Sequence, residues 1–117
     1  MSNKTNQNHY KLFQKTCDFW IKELGLTDWK IYYFHQDEKD SYAWITPDSE
    51  AKQASIGLSV DWSDSKITKD MLKYCAKHEV LHLLLADLVQ TGKYRQSSDT
   101  DFTTAQHAVI RRLEKVL

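Results

Sequence analysis

Three observations predict an α+β fold. Helical periodicity occupies both ends of the chain, three short stretches rich in aromatic and β-branched residues lie together between positions 29 and 60, and 117 residues suffice for one domain. The predicted order is helix, three strands, helix, helix, with a small sheet covering one side of a helical layer. Residues 1–8 are polar and are expected to form a flexible N-terminus, which leaves 9–117 as the single domain.

Residues 9–25 read as an amphipathic helix. Phe13, Cys17, Trp20 and Leu24 recur at spacings of four, three and four; Leu12, Phe19 and Ile21 widen that face, and Gly25 is the expected C-terminal stop. Residues 29–35 and 42–46 have strand composition, and Pro47-Asp48-Ser49 is a turn signal. Residues 53–60 alternate, with Ala54, Ile56, Leu58 and Val60 on one side and Ser55, Gly57 and Ser59 on the other. Their closeness suggests an antiparallel meander. Ser65 or Thr68 is placed to cap a long helix over 69–89, apolar around much of its circumference and ended by Gly92. A last helix over 102–117 carries Phe102, Val109, Leu113 and Val116 on one stripe, with Ile110 and Leu117 beside it.

Sixteen Lys and Arg balance sixteen Asp and Glu, which argues against a general nucleic-acid binder. Arg111, Arg112 and Lys115 make a weak case for a nucleic-acid-associated regulator, and the wet face of a helix explains them more simply. The most apolar stretch, residues 80–89, is interrupted by His82 and Asp87 and is too short to span a bilayer. With no apolar leader and only two cysteines, Cys17 and Cys75, the expected compartment is the cytoplasm.

The five histidines carry most of the information. His78-Glu79-Val80-Leu81-His82 is an H-E-x-x-H motif on the long helix, and five His with five Glu in this length produce one by chance roughly 0.01 times. Residues four apart share a helix face, so two imidazoles can hold one ion with little backbone strain. Glu79 lies about 100° around the helix from His78 and about 60° from His82. That puts it beside a Zn²⁺ rather than on it, placed to take a proton from a metal-bound water.

A catalytic zinc usually takes a third protein ligand. Leu85 and Leu88 occupy the Gly and His positions of the longer form of the motif and exclude it. His107 is the favoured third ligand, because an antiparallel last helix brings its first turns past the second half of the motif helix. Gln106, Asp101, Asp99 and Glu114 remain alternatives. Each has a structural role to set against this: an exposed helix histidine, a Thr103-x-x-Gln106 capping box, an N-cap at Asp101. Cys75 reads better as core than as ligand. Tyr94 is a weak candidate for an oxyanion donor and His35 for a substrate contact, while His9 reads as solvent-exposed.

The run from His78 through Leu88, followed by His107-Ala108-Val109-Ile110-Arg111-Arg112-Leu113-Glu114, resembles the short zincin-like proteins of phages and prophages, similar to the minigluzincins. The resemblance follows the order of elements over residues 29–117, and only the helical half carries specific residues. It implies a zincin-like fold whose active helix packs under a small sheet, with an edge strand that binds an extended peptide by strand addition; residues 53–60 are the expected edge. It also implies a host cytoplasm as the site of action. In gluzincin-like proteins the third ligand is typically a Glu of the following helix, where this chain has Gln106-His107. Either His107 supplies the third bond or the site has two strong ligands. The leading expectation is a zinc metallopeptidase with Glu79 as general base, acting on a peptide or protein substrate. The alternative is a non-catalytic zinc-stabilised domain that binds a protein partner.

Overall fold

A computed structural model describes residues 2–38, 40–93 and 99–117, with the backbone alone at 91, 93, 99–102, 105 and 116. Asn6 opens helix α1 (Gln7–Glu23): its side chain accepts the His9 N–H at 2.9 Å, and His9 Nδ1 accepts the Asn6 N–H at 3.0 Å. His9, which the sequence reads only as solvent-exposed, is thus the second half of a capping box. The helix stops as its sequence predicts. Gly25 takes φ +70°, and the Gly25 and Leu26 N–H groups return to the Lys22 and Ile21 carbonyls. Phe13, Cys17 and Ile21 form the buried edge, Trp20 and Leu24 are partly buried, and Phe19 is left in water.

The N-terminal residues differ from the frayed segment expected. Lys4 bridges Asp61, Asn3 exchanges backbone bonds with Trp62 and Ser63, and Thr5 is buried. The Thr5 hydroxyl donates to the Ser59 carbonyl at 2.8 Å and so accepts from His35 Nε2 at 2.7 Å. The His35 ring also stacks on Tyr10 at 4.7 Å. These contacts give His35 a fastening role.

Strands β1 (Lys30–Gln36), β2 (Ala43–Asp48) and β3 (Gln53–Ser59) form one sheet in the order β1-β3-β2. The predicted meander is corrected here. β2 and β3 are an antiparallel hairpin running from Ala43↔Leu58 to Asp48↔Gln53, closed by Asp48 Oδ1 accepting the N–H groups of Glu50 and Ala51. β1 instead lies parallel to β3, from Lys30↔Gln53 to Gln36↔Ser59. The strand expected at the edge is therefore the central one, hydrogen-bonded on both sides. Its sequence fits: Ala54, Ile56 and Leu58 enter the core, and on the other face Gly57 is bare because the Trp44 indole lies over it.

Thr68 caps helix α2 (Lys69–Leu84), its Oγ1 accepting the Met71 N–H at 3.1 Å. Phe13 and Cys17 of α1, Ile56 and Leu58 of β3, and Leu72, Ala76, Val80 and Leu83 of α2 meet in one apolar cluster. The single long helix expected over 69–89 bends at Leu85 and continues as α3 (Ala86–Lys93), so Gly92 lies within α3 rather than beyond its end. Leu85 serves both helices: its N–H closes α2 on the Leu81 carbonyl at 3.3 Å, and its carbonyl accepts the Val89 N–H of α3 at 2.9 Å. Helix α4 (Asp99–Val116) begins three residues earlier than predicted and is seated by Ile110, which is fully buried. Val109 and Leu117, expected on or beside the apolar stripe, are exposed. The packed face of α4 is turned by about one residue and includes His107 and Glu114.

Candidate metal centre

His78 and His82 lie one turn apart on α2 and project together, with Nε2 atoms 3.2 Å apart and ring centroids 4.9 Å apart. α4 brings the His107 ring to 4.9 Å from that of His82 and 6.1 Å from that of His78. One nitrogen from each of the three half-buried imidazoles falls within 4.8 Å of the others, close enough to bind a metal ion. Ligand nitrogens on one tetrahedral ion with bonds of about 2.05 Å stand roughly 3.4 Å apart, so the α2 pair is at working distance and His107 needs only a small approach.

Hydrogen-bond partners fix which nitrogen of two rings is available. Glu114 Oε1 lies 3.1 Å from His78 Nδ1, and a carboxylate can only accept, so in the neutral ring Nδ1 carries the proton and Nε2 has the lone pair. The Thr103 carbonyl, 2.9 Å from His107 Nδ1, imposes the same tautomer on His107. A carboxylate or carbonyl behind each imidazole is the arrangement that orients metal-binding histidines. His82 is held below its ordinary value, at about 4, first by burial and then by the neighbouring His78 and His107; a hydrogen bond that the ring donates to the Gln106 side chain and the charge of Glu114 oppose this. It is neutral at physiological pH, the form in which an imidazole can bind a metal.

Glu79 is buried, and that burial pushes its carboxyl up to about 7. It belongs to the side of α2 that faces α1: after burial, its charge is the next influence raising the thiols of Cys75, to about 12, and of Cys17. Both cysteines are free, buried and protonated. Cys75 is therefore a core neighbour of Glu79 and not part of the three-His group.

The remaining sequence candidates separate as follows. Gln106 bonds His82, and Glu114 stands behind His78 on the Nδ1 side instead of among the ligand atoms. The side chains of Asp99 and Asp101, and all of Tyr94, lie outside the described residues. Arg111, Arg112 and Lys115 are exposed on α4. Sequence reasoning missed the orienting role of Glu114, whose signal is the seven-residue interval that returns it to the face of His107. It also missed Tyr74, which hydrogen-bonds Glu114 from one turn before His78.

Among the described residues no helix is long and apolar enough to cross a membrane. No family model, curated protein or solved structure matches the chain.

Proposed function

We propose that the chain is a zinc-dependent metallopeptidase of the zincin kind, with His78, His82 and His107 as metal ligands and Glu79 as general base. One observation carries the reading: three imidazoles from two helices converge on one point while the next residue along α2 is a buried carboxyl ionising at about 7. That value suits an acid–base catalyst at neutral pH. Zn²⁺ at such a centre supplies Lewis acidity, making water more acidic and polarising a carbonyl. Glu79 accepts the proton of the attacking water and delivers it to the departing amine nitrogen. Glu114 and Thr103 hold the imidazoles of His78 and His107 in register. Because β3 is central, the strand offered to an extended substrate is β2, the antiparallel edge strand, which also packs against α2. The two free thiols suit a reducing cytoplasm.

The burial of Glu79 beside Cys17 and Cys75 favours a second reading, a zinc-stabilised binding domain in which that carboxyl takes no part in chemistry. Metal content and peptide-library cleavage separate the two. The metallopeptidase reading expects about one zinc per chain, cleavage, and a loss of about 10²–10⁴ in rate with Glu79→Gln while zinc is retained. Zinc without cleavage, and a Glu79→Gln variant indistinguishable in cells, sinks catalysis and leaves the binding domain. Full zinc content in His78→Ala sinks both.

A further inference from the structure

α1 and α2 pack through Phe13 and Cys17 on one side and Leu72 and Ala76 on the other, all buried. Toward solvent from that seam the two helices leave a hollow of about 560 Å³, within the size range of ligand pockets. Its floor is apolar and wet: Leu12 and Trp20 line it, with Phe19 and Tyr74 exposed by 55% and 46%. Large aromatic groups left in water beside one another mark an interaction surface. Lys15, Lys73 and Lys77 stand around this floor, against the single carboxylate of Asp70. Lys77 is engaged, donating to the Glu114 carbonyl at 3.3 Å and lying 5.9 Å from the Trp20 ring. Lys15 and Lys73 are exposed and enter no ion pair among the described residues. In a chain with zero net charge this is a local concentration of positive charge over apolar ground.

We infer that this groove docks an acidic, amphipathic peptide segment. Its apolar side chains fill the floor between the helices and its carboxylates meet Lys15 and Lys73. Complementarity selects that occupant. A polyanion such as nucleic acid answers the lysines and can stack on the rings, but offers nothing to Leu12, whereas an acidic helix or strand presents both chemistries on one face. The location adds to this. Tyr74 and Lys77 border the groove and also contact Glu114, and the Tyr74 ring lies 6.0 Å from that of His78. A docked segment therefore lies close to His78. On the metallopeptidase reading, which this last step assumes, the substrate carries such an acidic segment; docking itself does not depend on it.

The test uses a labelled peptide of Glu and Leu spaced as an amphipathic helix, and a counterpart with Lys in place of Glu. Fluorescence anisotropy with the full chain carrying Glu79→Gln reads binding without turnover. The acidic peptide is expected to bind with Kd on the order of 10 µM, and its counterpart at least about tenfold more weakly. Lys15→Glu combined with Lys73→Glu reverses that preference, and half-molar salt weakens the acidic peptide. Both lysines are exposed, so the melting temperature should not move; Lys15→Ala with Lys73→Ala is the milder pair, expected to abolish the preference without reversing it. Equal binding of the two peptides, or indifference to either pair of substitutions, overturns the inference. So does equal competition by a single-stranded oligonucleotide or by phosphatidylserine vesicles. Wild-type protein that binds the acidic peptide preferentially without cleaving any peptide supports the groove and defeats the metallopeptidase reading; cleavage with no charge preference does the opposite.

Discussion

Replacing Glu79 by Gln should stabilise the metal-free protein, by an amount that depends on pH. Glu79 is 8% exposed, and burial moves the ionisation of its carboxyl from 4.5 to about 7. At 1.36 kcal/mol per pH unit, keeping it charged in the folded state costs about 3 kcal/mol. The folded value lies above the unfolded one, so this penalty is fully present above pH 7 and fades as pH falls through 4.5. Gln keeps the shape and removes the charge. Urea unfolding of EDTA-treated protein, followed by circular dichroism from pH 4 to pH 8, measures the difference. With an m value of about 2 kcal/mol per M, the variant's midpoint should lie about 1.5 M higher at pH 8 and converge with wild type near pH 4. His82 acts in the other direction: held at about 4 against an ordinary 6.5, it withdraws stability as pH falls from 6.5 toward 4. It is common to both proteins and drops out of the comparison. Equal midpoints at pH 8, or a gap unchanged by pH, would refute the burial of an ionisable Glu79.

Three further outcomes are expected. His107→Ala should lower zinc affinity at least about 100-fold while changing metal-free stability by less than about 1 kcal/mol, since the ring is only partly buried; competition with a chromogenic chelator measures the first, and unchanged affinity removes His107 from the ligand set. Glu114→Gln keeps an acceptor for His78 Nδ1 without the charge and should weaken zinc about tenfold, read by the same assay; no change would mean that Glu114 does not orient His78. Gly57→Ala places a Cβ on the Trp44 indole and should cost about 2 kcal/mol in thermal unfolding, with Trp44→Leu recovering part of it in the double variant; a neutral Gly57→Ala would show that the indole is free to move aside.

The helical half of this protein was largely legible, and the sheet was legible in composition but not in order. H-E-x-x-H needs only helical spacing to bring two imidazoles together, so His78 and His82 followed from the chain itself. His107 followed from the antiparallel return of a helix after a short connection. The face of that helix is less legible: the sequence offers Val109 as core, whereas the helix is seated by Ile110, and that one-residue turn carries His107 and Glu114 inward. Nothing in residues 29–60 announces that the third strand inserts between the first two. Alternation specifies which side chains point inward but not which strand is the neighbour. The covering of Gly57 by Trp44 encodes the hairpin only once the register is known. The bend at Leu85 has no Pro or Gly to mark it. The place of Glu79 beside His78 in the chain follows from the motif, but its charge reaches Cys17 only because of how α1 crosses α2, which spacing within one helix cannot express.

The three imidazoles and the carboxylate that steadies one of them come from two helices, two residues from α2 and two from α4. The centre therefore exists only while α4 is seated. A local opening of α4 removes His107 and Glu114 in one event, so the site is lost as a unit and not by degrees. Native-state hydrogen exchange in α4 and the lifetime of bound metal should then report the same opening equilibrium. Substitutions far from the histidines, Ile110 first among them, would change metal residence through helix docking alone.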